Sequence, residues 1–193
     1  MNDRVVVIGL SLGGLKVLKE MLPALPADFP LPIIIIQHLD ESSSNVWIEL
    51  LDNICKLQVV EAEEKEKIRR GVVYIAPANY HLLIERDETF SLAVTEKVNF
   101  ARPSIDVTFE CAAETYRKRL IGVILTGLNM DGAQGLKRIN DLGGITIVQD
   151  PADAEAPEMP KNALKKTKPD YVVPGRDIVP LLIKLSKTTS SSS

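Results

Sequence analysis

Cysteine is scarce. Only Cys55 and Cys111 occur, without the paired spacing that zinc or dithiol chemistry uses. Such cysteines are ordinarily small buried hydrophobes in a reducing compartment, which argues against a disulfide-stapled secreted fold. Long apolar runs are also missing. The longest, LPIIIIQ over 31–37, is far shorter than the roughly 20 residues of a spanning helix. The N-terminus leads straight into a strand pattern with no signal-peptide signature, so a cytoplasmic location is expected. Excess positive charge is absent: 23 basic against 26 acidic residues leave a net charge of −3. That balance argues against a nucleic-acid binder relying on global attraction, and membrane insertion is not expected. No internal repeat is visible, and no histidine follows His81.

What is present suits one domain. A chain of 193 residues buries roughly 70% of its unfolded surface, and 45% apolar with 25% charged residues is ordinary for a globular protein. Short β-branched runs alternate with helical patterns. VVVIG over 5–9 and IIII over 33–36 read as buried strands, as do VVYIAP, the stretch Leu120 to Leu125, ITIVQ and YVV. Helices are expected after Gly14, from Val46 to Leu57 with Trp47, Leu50, Leu51 and Ile54 on one face, and from Ile105 to Arg119. Further helices are expected over AQGLKRINDLGG, KNALKKT and DIVPLLIKL. HLLIE and FSLAVTE flanking ERDET read as a hairpin appended to the main sheet, and the charged run Glu61 to Arg70 as a solvated segment. The domain is taken as 1–186, with 187–193 a disordered tail. Strands alternating with helices imply an α/β fold, doubly wound around a mostly parallel sheet.

The first strand breaks into Gly9-Leu10-Ser11-Leu12-Gly13-Gly14, which places one serine in a strand-to-helix turn among glycines. That is the pattern of a nucleophile elbow, Gly-x-Ser-x-Gly, in which small neighbours permit a sharp turn and leave the hydroxyl exposed over a helix N-terminus. Two other readings stand beside it. Ser11 could cap the following helix. The turn could instead bind phosphate, although Ser11 replaces the middle glycine of Gly-x-Gly-x-x-Gly that admits a pyrophosphate.

Ser11, His38 and Asp131 each directly follow an apolar strand, so all three belong on the rim where ligands bind in parallel sheets. A serine hydroxyl needs a neighbouring base, and the candidates are His38 and His81. His38 lies at a strand end, whereas His81 opens the hairpin, where half-exposed histidines are usually incidental. A structural His38 bonding a carbonyl remains the other reading. Asp131 suits the group that holds the imidazole tautomer, but it could instead cap the helix after Gly132. The order Ser…His…Asp differs from the Ser…Asp/Glu…His order of α/β-hydrolases.

Several separate stretches carry a resemblance: VVVIGLSLGG, IIIIQH, GVVYIAPANYH, ARPSIDVTFECAA, GVILTGLNMDGAQGL and VQDPADAEAPEMPKNAL. In this order and spacing the chain resembles the catalytic domain of the chemotaxis protein-glutamate methylesterases, the CheB type, over nearly its whole length. The resemblance implies a doubly wound α/β sheet of seven strands with a hairpin, and a triad matching Ser11, His38 and Asp131. It implies hydrolysis of γ-glutamyl methyl esters on chemoreceptors with release of methanol, together with deamidation of certain glutamines. On that reading the oxyanion is held by the backbone N–H groups of Leu12 and Leu128, and no metal or organic cofactor is required. The implied partner is the methylated cytoplasmic region of a chemoreceptor. Because the chain opens on the catalytic strand without the receiver domain common in the family, it is expected to be a separately expressed domain, to be ungated, or to be controlled by another protein such as a separate receiver.

The chain departs from the family pattern at Leu12, where a small residue or Thr is usual, and in the acidic loop Asp40 to Ser44 after the histidine. Arg102 is a candidate contact for an acidic substrate surface, with an ion pair to Asp106 as the alternative. The altered loop motivates a second hypothesis, a weak or inactive scaffold of the same fold that binds chemosensory partners. A nucleotide-binding domain built on the glycine turn is a third.

Overall fold

A computed structural model describes residues 4–38 and 44–188. Among the described residues, nine strands and six α-helices follow in chain order. They are β1 (Val5–Leu10), α1 (Gly14–Met21), β2 (Ile33–Gln37), α2 (Ser44–Ile54), β3 (Gln58–Glu61), β4 (Val72–Ile75), β5 (His81–Ile84) and β6 (Phe90–Ala93). Then come α3 (Ile105–Tyr116), β7 (Leu120–Ile124), α4 (Ala133–Asp141), β8 (Ile145–Gln149), α5 (Glu158–Lys166), β9 (Tyr171–Val173) and α6 (Gly175–Lys187).

Seven strands form one sheet in the order β3-β4-β2-β1-β7-β8-β9, and every pairing in it is parallel. The continuous β-branched runs occupy its centre because β1, β2 and β7 are covered on both faces and carry no exposed position. Side chains alternate between two cores. Val6, Ile8 and Leu10 face α1 and α6. Val5 and Val7 face α3, α4 and α5. Strand order runs one way from β1 to β2 and the other from β7 to β8, so the crevice of a doubly wound sheet opens at the C-terminal ends of β1 and β7.

The expected α/β architecture is present. The hairpin β5–β6 forms its own two-stranded antiparallel sheet and packs on α3. It shields α3 through Leu82, Ile84 and Phe90. The four-residue edge strand β3, beside the charged run, adds one strand to the sheet. The inward stripe of α2 runs through the half-buried Ile48 and the buried Leu51 and continues to Cys55 just past the helix, leaving Ile54 39% exposed, so the face expected to include Ile54 is turned outward there. Of the expected tail, Lys187 ends α6 and Thr188 accepts from the Arg4 guanidinium at 2.8 Å. The rest of the expected tail (189–193) and the loop expected at Asp40 to Ser44, up to residue 43, lie outside the described residues. Among the described residues no helix is long and apolar enough to cross a membrane.

Candidate active site

Ser11 leaves β1 one residue beyond the last register pair, Leu10 with Gln37, so Ser11 and His38 are the next positions along neighbouring parallel strands. The His38 N–H continues the ladder to the Leu10 carbonyl at 3.4 Å. By the alternation of the pleat both side chains follow Gly9 and Ile36 towards the α3 face. At Gly9 a Cβ would lie 2.4 Å from Ile105 Cγ2, so the missing side chain lets the start of α3 rest on β1. Gly13 has φ +79°, a left-handed turn that redirects the chain from Ser11 into α1.

The turn is tied from both sides. The Ser11 N–H donates to the Thr126 carbonyl at 2.9 Å, and the Thr126 hydroxyl donates to the Leu12 carbonyl at 2.9 Å. The buried Gln37 amide donates to the Ser11 carbonyl at 2.9 Å and to the His38 carbonyl at 3.3 Å, clasping nucleophile turn and histidine together. Leu12 and Leu128 are about half exposed at the rim, and among the described residues neither backbone N–H takes part in the fold's hydrogen bonds.

Asp131 is fully buried and receives five hydrogen bonds. Its Oδ2 accepts from His38 Nε2 at 2.8 Å and from the Ile105 N–H at 2.7 Å. Oδ1 accepts from Ser104 Oγ at 2.8 Å, Asn99 Nδ2 at 2.9 Å and the Asp106 N–H at 3.1 Å. Asp131 therefore does cap a helix, but α3 rather than the α4 that follows it. Ser104, at the cap position of α3, makes no side-chain cap of its own. Capping and histidine contact use different directions of one carboxylate, so the two roles expected to compete coexist. Burial pushes the Asp131 carboxyl up, but the hydrogen bonds from His38, Asn99, Ile105 and Asp106 outweigh it and hold the group below the usual carboxylate range.

The contact with a carboxylate fixes the His38 tautomer: Nε2 carries the proton and Nδ1 is left as acceptor. Asn129 Nδ2 lies 3.4 Å from Nδ1, while Asn129 Oδ1 accepts the Asp131 N–H at 3.1 Å. Among the described residues the Ser11 hydroxyl makes no hydrogen bond. Resting sites often hold their catalytic hydrogen bonds long and tighten them on substrate.

The remaining candidates fall elsewhere. His81 is buried, not half-exposed. Its Nδ1 accepts the Ser104 N–H at 3.2 Å and its Nε2 donates to the Glu96 carbonyl at 2.9 Å, which braces the segment entering α3. Arg102 donates to the carbonyls of Thr95 at 2.7 Å and Val94 at 3.3 Å, and the expected ion pair with Asp106 is not formed. Asp106 instead accepts the Gly135 N–H at 2.7 Å, capping α4 while Asp131 caps α3. Burial pushes the Cys55 and Cys111 thiols up to about 11, so neither supplies a thiolate at neutral pH. Among the described residues no cluster of three His, Cys, Asp or Glu side chains could hold a metal. Gln37, Asn99, Thr126 and Asn129 escaped the sequence reading. Only the proximity of Gln37 to His38 and of Asn129 to Asp131 hints at two of them.

Known proteins resemble this chain over most of its length. The family model described as CheB methylesterase matches residues 6–182. A Leptospira interrogans relative is 52% identical over 97% of this chain and 97% of its own length. The protein-glutamate methylesterase/protein-glutamine glutaminase of Thermotoga maritima is 37% identical over 95% of this chain, which spans 54% of that protein. The crystal structure of the Thermotoga maritima CheB methylesterase catalytic domain superposes with a TM-score of 0.91 at 37% identity, covering 95% of this chain and 98% of that one. The chain belongs to the CheB methylesterase family.

Proposed function

We propose that this protein is a serine hydrolase that cleaves glutamate methyl esters on chemoreceptor cytoplasmic regions, and that it also deamidates glutamine side chains. The observation that carries the reading is the half-buried His38 held by the buried Asp131 at 2.8 Å, beside a serine at the adjacent strand end. The protein-glutamate methylesterase/protein-glutamine glutaminase name of the Thermotoga maritima relative supports the substrate class.

In this mechanism the Ser11 hydroxyl attacks the ester carbonyl as His38 Nδ1 takes its proton. Asp131 holds Nε2–H and balances the imidazolium charge. The carbonyl electrons move onto oxygen, where the Leu12 and Leu128 N–H groups receive them; one such donor is worth about 3 kcal/mol. Collapse breaks the bond to methoxide, which leaves with the proton from His38 as methanol. Water then attacks the acyl-serine with His38 again as base, releasing glutamate and restoring Ser11. An amide substrate follows the same course with ammonia as the leaving group.

Ser11→Ala is expected to keep the fold and to lower methanol release from methylated receptor by at least about 1000-fold. Unchanged turnover would remove Ser11 from the reaction and favour a partner-binding scaffold.

A further inference from the structure

Asn99 lies between two buried carboxylates. Its Nδ2 is 2.9 Å from Asp131 Oδ1 and 2.8 Å from Asp106 Oδ2. Both partners are carboxylate oxygens, which only accept when ionised, so the atom between them is the amide nitrogen with one hydrogen aimed at each. Asp131 is fully buried and Asp106 nearly so, and two like charges at this separation in a low-dielectric site repel strongly unless a dipole lies between them.

The backbone delivers that amide rigidly. Val98 and Ala101 exchange N–H···O bonds of 3.1 and 2.9 Å, closing a two-residue turn with φ +51° at Asn99 and +64° at Phe100. Turns with both central residues left-handed favour Asn followed by Gly. Here the second place is held by a phenylalanine that is 97% exposed, so the conformation is kept at a steric cost. His81 braces the flanking segment through Glu96 and Ser104.

We propose that Asn99 is a positioning residue of the site: bridging Asp131 Oδ1 and Asp106 Oδ2, it fixes the Asp131 carboxylate so that Oδ2 faces His38, and it shields that carboxylate from Asp106. This rests on the hydrolase reading above. The Asn99 amide hydrogen-bonds to Asp131 and Asp106 and acts on the site through Asp131. Burial and the nearby Asp131 charge push the Asp106 carboxyl up, while the Asn99 amide works against them, as expected of a shield.

The test is Asn99→Ala, alone and combined with Asp106→Asn, measured for kcat and KM on methylated receptor beside wild type and Ser11→Ala. Thermal melting establishes folding. Asn99→Ala is expected to lower kcat on the order of 10–100-fold with KM little changed, the range for a lost outer-shell partner. Adding Asp106→Asn removes the unshielded charge and should recover at least part of the loss, a rescue that a merely structural role would not produce. Proton NMR supplies a readout independent of turnover. The downfield ring N–H resonance of His38 bonded to Asp131, assigned with His38→Gln, should weaken or vanish in Asn99→Ala and return in the double variant. If Ser11→Ala abolishes turnover while folded Asn99→Ala stays within about twofold of wild type and keeps the resonance, the inference falls and the hydrolase reading stands. If Ser11→Ala leaves turnover unchanged, the hydrolase reading falls instead. Should Asn99→Ala fail to melt cooperatively, Asn99→Ser provides the same comparison with a smaller change. A double variant no better than Asn99→Ala also overturns the shielding.

Discussion

One oxygen of Asp131, Oδ2, serves both the Nε2 proton of His38 at 2.8 Å and the first N–H of α3, at Ile105, 2.7 Å away. The histidine is therefore aligned by the same group that fixes the start of a helix. Catalytic alignment and fold stability are coupled at this atom.

That coupling separates two substitutions. Asp131→Ala removes the acceptor for His38, for two backbone N–H groups and for Ser104 and Asn99 at once. Breaking a buried charged cluster of this kind costs about 3–5 kcal/mol. Asp131→Asn keeps the shape and one acceptor oxygen, so it should lose less stability. It should nevertheless lower kcat on the order of 10⁴-fold, because the amide cannot hold the productive tautomer. Denaturant unfolding and methanol release, measured on the same preparations, check the pair.

The direction of the Asp131 shift sets a pH dependence. Burial opposes ionisation, but the hydrogen bonds from His38, Asn99, Ile105 and Asp106 hold the folded-state value below the unfolded value of about 4. A depressed carboxyl contributes stability that is complete above the unfolded value and lost as pH falls through the folded one. Asp106 runs oppositely. Burial raises its carboxyl, so its ionisation weakens the fold at neutral pH and the penalty disappears once pH is below the unfolded value. The stability gap between wild type and Asp131→Asn should shrink as pH falls below about 4. A gap unchanged down to about pH 2 would contradict the assignment.

Phe100 combines a left-handed backbone with 97% exposure one residue from Asn99. Phe100→Gly relieves a conformational cost of about 1–2 kcal/mol, partly offset by the greater freedom of glycine in the unfolded chain. Stability should hold or rise slightly. Removing an exposed aromatic next to Asn99 should at the same time raise KM for the receptor protein and leave hydrolysis of a small ester unaffected. A clear fall in melting temperature with unchanged KM would contradict both expectations.

The legible parts of the chain were those written in local pattern. Ile145–Gln149 stood out as a β-branched run and is β8, and the glycines around Ser11 marked a turn that the structure forms. Ser11, His38 and Asp131 could be placed on one rim because each follows a buried strand, and parallel strands put such residues side by side. What was hidden depends on contacts between distant segments. Asn99 reads as ordinary loop, since nothing nearby announces that its amide will meet Asp106 and Asp131. The capping of α3 is hidden for the same reason: Asp131, 27 positions along the chain from Ser104, occupies those N–H groups, and Ser104 turns its hydroxyl to the same carboxylate. β3 escaped notice because four residues beside a charged run are too few for a period to show.

The central claim is that Ser11, His38 and Asp131 act as one proton relay, and covalent trapping tests it most directly. Wild-type protein is treated with a fluorophosphonate and digested, and the adduct is located by mass spectrometry. A single adduct on the peptide containing Ser11, formed much more slowly in His38→Gln and in Asp131→Asn, is the predicted result. No adduct on folded wild-type protein, or labelling of Ser11 at the same rate in all three proteins, would contradict it.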